Sequence, residues 1–160
     1  MKKSLKKPLV KNILSALAVA VFGFILLNIT FLFDFLFQSA IRGVIMFFIP
    51  LGPETESRGL SMLFHASFAV FICLISWFVL RTKMRTLFKA IFMTVPVATV
   101  LVTMGMFLYP WPFVLFPAGG LLCLATLYIF YRTRQPWLYS FAVILVGLVL
   151  MIFTMTGGEI

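Results

Sequence analysis

The chain has 160 residues, 63% of them hydrophobic and 11% charged, with a mean hydropathy of +1.16; a soluble domain of this length cannot hide so much apolar surface, so lipid must cover the excess. A net charge of +9 raises nucleic acid as a partner, but the basic residues flank apolar runs and form no soluble basic face, which excludes it. Two cysteines inside apolar runs and a single histidine exclude a disulfide framework, a His-rich zinc site and a paired-His haem, so no metal and no cofactor is expected.

A bilayer core of about 30 Å takes roughly 20 apolar residues in a helix, and that ruler places five spans at 12–33, 60–80, 86–109, 113–131 and 137–156. The expected fold is an all-α integral membrane protein, one multi-pass domain over residues 1–160. Lys2, Lys3, Lys6, Lys7 and Lys11 precede the first span like the basic region of a signal peptide, and Ala18-Val19-Ala20 offers a small-x-small cleavage site. The apolar run continues well past Ala20, so the segment reads as an uncleaved signal anchor. Ala16 and Ala20, one turn apart, give it a face that another helix can approach closely.

Between the first two spans, Asp34 to Leu51 is apolar but short for a crossing, and it ends at Pro50-Leu51-Gly52-Pro53, a sequence that stops a helix. At about 100° per residue, Asp34, Gln38, Ser39 and Arg42 share an arc of about 140°, with Asn28 inside it. We expect an extra helical segment here. It is either an amphipathic helix in the outer leaflet with its polar stripe toward water, or a re-entrant element whose stripe faces a polar cavity. Asp34 and Arg42 stand two turns apart, about 12 Å along the axis, too far for direct pairing.

His65 lies five residues into the second span, about 7 Å below its boundary, with Ser61 one turn away on the same face. A histidine within a span ordinarily points into the bundle and hydrogen-bonds a neighbour, but an intramembrane ionisable group is also a functional candidate. The candidate site is an outer-facing polar pocket built from Asp34, Gln38, Arg42 and His65, with Glu54 and Glu56 at its rim.

The third span carries Pro96 near its middle and Thr99 and Thr103 one turn apart, a pattern for a kinked helix with a hydroxyl-lined face. Tyr109-Pro110-Trp111-Pro112-Phe113 is a proline-stiffened turn that makes spans three and four antiparallel neighbours. Gly119, Gly120 and Cys123 in span four, and Gly147 in span five, are small residues of the kind that line helix contacts in membranes.

Arg81, Lys83, Arg85 and Lys89 follow span two, and Arg132 and Arg134 follow span four, so eleven of the thirteen basic residues fall on one side. Glu54, Glu56 and Glu159 fall on the other with Arg58. The positive-inside rule then puts the N-terminus in the cytoplasm and the C-terminus outside. Anionic lipids at the cytoplasmic face of a plasma or inner membrane are the expected partners of the basic clusters, each contact contributing about 1 kcal/mol.

An enzyme needs a nucleophile with its base, a metal-ligand spacing or a phosphate-binding loop, and none is present; only Asp34 and His65 offer acid–base chemistry. An ion-coupled pump needs an acidic group at mid-depth, and no span has one. A small-solute transport component with the polar pocket above stays open, since it needs only a polar cavity. The leading expectation is a non-catalytic subunit or assembly partner of a larger membrane complex. Short loops and small-residue faces leave the chain little to work with except helix surfaces, which other membrane chains would cover.

Overall fold

A computed structural model describes residues 6–48 and 58–156, and every element among them is an α-helix. The helices are α1 (Lys6–Phe48), α2 (Arg58–Arg81), α3 (Thr86–Leu108), α4 (Pro112–Arg132) and α5 (Trp137–Met155). All five are long and apolar enough to cross a membrane, so the protein is a multi-pass membrane protein.

The expected extra segment is not a separate element. α1 runs without interruption through residues 34–48, over 43 residues or about 65 Å. Polar side chains within the run bond back to the helix's own carbonyls and do not interrupt it. Asn28 Nδ2 donates to Phe24 O at 2.8 Å, Thr30 Oγ1 to Leu26 O at 2.8 Å and Ser39 Oγ to Phe35 O at 2.8 Å. No proline interrupts the stretch, so nothing stops propagation. The turn at Pro50 to Pro53, together with Glu54, Glu56 and Glu159, lies outside the described residues.

Side-chain contacts set the helix directions. α1 and α2 are antiparallel, with Asp34 meeting His65 and Leu26 packing near Ile72. α1 and α3 are parallel: Val19 and Ala90 share one core cluster, and one turn on Gly23 lies against Thr94. α4 and α5 are antiparallel, with the Phe130 and Tyr139 rings 6.0 Å apart at one end and Cys123 beside Gly147 further along. α3 packs against each of the other four helices. Its buried face, Ala90, Thr94, Ala98, Thr99, Val102 and Gly105, is made of small and β-branched residues, which let neighbouring backbones come near.

These directions bring the start of α1, the α2–α3 turn and the α4–α5 turn to one basic end. There the Arg81 guanidinium lies 3.8 Å over the Trp77 ring, and Lys89 Nζ donates to Leu80 O at 2.6 Å. The lysine thereby satisfies one of the carbonyls left open at the C-terminus of α2. α4 closes on Arg134, in the left-handed region at φ 51, with Gln135 N–H bonded to Phe130 O at 2.9 Å. At the opposite, far end, α1 outruns its neighbours. Continuing the Asp34–His65 register puts Arg58 level with Ile41, so about seven residues of α1 stand beyond α2.

Candidate functional site

Asp34 from α1 and His65 from α2 meet inside the bundle near its far end. His65 Nδ1 and Asp34 Oδ2 are 2.5 Å apart, and the residues are only 4% and 7% exposed. Each helix delivers its side chain inward because the flanking positions are bulky. Phe64 and Phe68 are buried beside His65 on α2, with the Phe68 ring 6.5 Å from the imidazole. Phe37, one turn beyond Asp34, packs on Phe68 at 5.5 Å and on Phe71 at 5.8 Å. With Ile72, Val95 and Leu26 these rings form an apolar cluster that runs from the pair toward the basic end.

The hydrogen bond uses one polar atom from each residue. The other two, Asp34 Oδ1 and His65 Nε2, are buried with no hydrogen-bond partner among the described residues. A buried polar group without a partner costs about 1–3 kcal/mol, so a membrane protein that keeps two side by side keeps them at a cost. Arg42 lies two turns from Asp34, about 12 Å along the axis. Leaving the Asp34 carboxylate unpaired in the interior costs several kcal/mol, and His65 is the partner within hydrogen-bond distance.

The sequence-derived pocket comes together only in part. Asp34 and His65 converge. Gln38 and Arg42 are half-buried on the α1 face that continues from Asp34, as is Ser61 one turn from His65 on α2, and in the antiparallel register Gln38 lies level with Ser61. These residues form a polar seam from the pair toward the far end. Ser39 and Asn28, from the same sequence arc, are exposed and bonded within their own helix. Glu54 and Glu56 lie outside the described residues.

The packing candidates divide. Ala16 and Ala20 are half-buried. A Cβ on Gly147 would sit 3.3 Å from Cys123 Sγ, and one on Gly119 would make ordinary contact with Met104. Gly120 faces open space. Among these residues lies a cleft of about 420 Å³ between α3, α4 and α5, lined mainly by apolar side chains such as Leu101, Met104, Leu124 and Met151. It is separate from the polar pair. The hydroxyls of α3 turn inward on their own helix: Thr99 Oγ1 bonds Val95 O at 2.9 Å and Thr103 Oγ1 bonds Thr99 O at 2.7 Å.

A close approach of α1 and α3 escaped the sequence reading. A Cβ on Gly23 would lie 2.9 Å from Thr94 Cγ2, so only glycine fits between α1 and α3. The available signal was a lone glycine inside a long helical run, which costs about 1 kcal/mol against alanine and is kept for a packing reason. No family model, curated protein or solved structure matches this chain, so its function is argued from this geometry alone.

Proposed function

We propose that this chain is a non-catalytic subunit or assembly partner of a larger membrane complex. In this reading it sits in the plasma or inner membrane with its N-terminus in the cytoplasm and its basic end among anionic lipids. The observation that carries the proposal is the overhang of α1. An apolar helix of this length exceeds a hydrocarbon core of about 30 Å by a factor of about two, more than the usual tilts of up to about 40° absorb. The last turns keep Val44, Phe47 and Phe48 at 59%, 84% and 74% exposure. Apolar turns at a bundle end are unstable in water, and a neighbouring membrane chain covers them at the least cost.

The uncovered flank of α4 fits the same account, since none of its most apolar stretch is buried within the chain. The transport and enzyme alternatives draw less support. The cleft of about 420 Å³ is apolar and has neither Asp34 nor His65 in its lining, and the free polar atoms of that pair are buried away from it.

The test places a photo-crosslinking residue at Phe47 or Phe48 and, as a control, at lipid-facing Phe24 of the full-length protein in its native membrane. Adducts of one discrete mass from Phe47 and Phe48, absent from Phe24, support the proposal. Lipid adducts alone from all three positions, with a monomer by native mass spectrometry in nanodiscs, would overturn it.

A further inference from the structure

We propose that Asp34 and His65 form a proton-binding site. The buried pair holds two protons, one in the Nδ1···Oδ2 bridge and one on Nε2, and exchanges the second with solution at the far end along the seam of Gln38, Ser61 and Arg42. The inference stands apart from the subunit reading, because it rests on the pair and its surroundings and not on any partner.

The 2.5 Å separation requires a proton between the two atoms, since two lone pairs at that distance repel. With that proton alone the pair is a neutral imidazole donating to a carboxylate, and it carries a net negative charge at a position where both residues are almost fully buried. A second proton on Nε2 makes the pair net neutral, either as imidazolium with carboxylate or as imidazole with carboxylic acid. A buried net charge is the costlier state, so the site takes up the second proton. Uptake forms one N–H bond at Nε2 and frees a water from hydronium; release reverses this and leaves the bridge intact.

The neighbouring charges do not substitute for that proton. On α1 the next ionisable group is Arg42, two turns away, and on α2 it is Arg58, nearly two turns before His65. α3 and α5 bring no acidic or basic side chain to this level, and the Tyr109 phenol lies just past the end of α3. The seam supplies the route: Gln38 and Ser61 are half-buried and level with each other, and Arg42 stands one turn further toward the far end. Each offers a polar group on a contact otherwise lined mainly by apolar side chains.

His65 is the single histidine of the chain, so a histidine-labelled sample reports one site. The full-length protein, labelled with ¹⁵N-histidine and reconstituted in liposomes, would be measured by solid-state NMR. The expected result is a protonated Nε2 at neutral pH whose proton exchanges with water. A bare Nε2 at neutral pH overturns the proposal, and needs no variant to be seen. Gln38→Leu is expected to slow exchange of that proton with water at least tenfold, with Ser61→Ala as the second variant if the first does not fold. An unchanged rate in the folded variant overturns the far-end route.

Discussion

α3 and α4 match in mean hydropathy and nearly in length, yet half of the most apolar stretch of α3 is buried within the protein and none of that of α4 is. Hydropathy therefore identifies a span without saying what the span faces. In lipid there is no hydrophobic gain in moving a leucine from bilayer to bundle, so burial follows the shape of the helix surface. α3 presents Ala90, Thr94, Ala98 and Gly105 along one face and draws α1, α2 and α5 onto it. α4 has its own small residues, but Gly120 meets nothing within 4 Å and the cleft beside it stays open. Small residues permit close approach; a partner with a matching surface is still needed to complete it.

Substitutions on the closed and open sides should separate accordingly. The largest effect is expected on the closed side from Asp34→Leu, which strands the buried His65 without its partner and should cost about 3 kcal/mol. Asp34→Leu with His65→Leu should recover most of that loss, because two apolar side chains leave no buried polar atom unpaired. Thermal unfolding of both variants in detergent checks this, and equal loss in the two would mean that packing volume, not polarity, governs the seam.

Next comes Gly23→Val, which forces side-chain atoms into Thr94 across the α1–α3 contact and should cost about 1–3 kcal/mol. The companion Gly23→Val, Thr94→Ala should regain part of it. On the open side Gly147→Ala should cost less than about 1 kcal/mol, since its Cβ meets only the movable Cys123 thiol at 3.3 Å. The smallest effect is expected from Gly120→Leu, within about 0.5 kcal/mol for the isolated chain. If that substitution leaves the purified protein stable but removes a co-purifying chain from the native membrane, the open face of α4 is an interface. If it destabilises the isolated protein as strongly as Gly23→Val does, the comparison between the two helices fails.

Much of the candidate site was visible one residue at a time. Asp34 and His65 stood out because charged and titratable side chains are rare inside apolar runs, and Gln38, Arg42 and Ser61 followed from helical spacing. Their convergence was not visible, because it depends on how α1 and α2 rotate about their axes. The segment from Asp34 to Leu51 reads as a separate element because a ruler of about 20 residues ends the first span before it. Helix propagation ignores that ruler: Asn28 and Ser39 bond to carbonyls one turn back and leave the helix whole.

The sequence by itself determined that five helices are long and apolar enough to cross a membrane, because that property is a sum over neighbouring residues set against a fixed bilayer thickness. The tertiary structure alone decided that α1 is one unbroken helix, that α3 is central and α4 peripheral, and that Asp34 reaches His65 with one polar atom on each left over. These are matters of rotation and register between helices, and they are set by contacts such as Gly23 with Thr94, between residues far apart in the chain and invisible to any local sum.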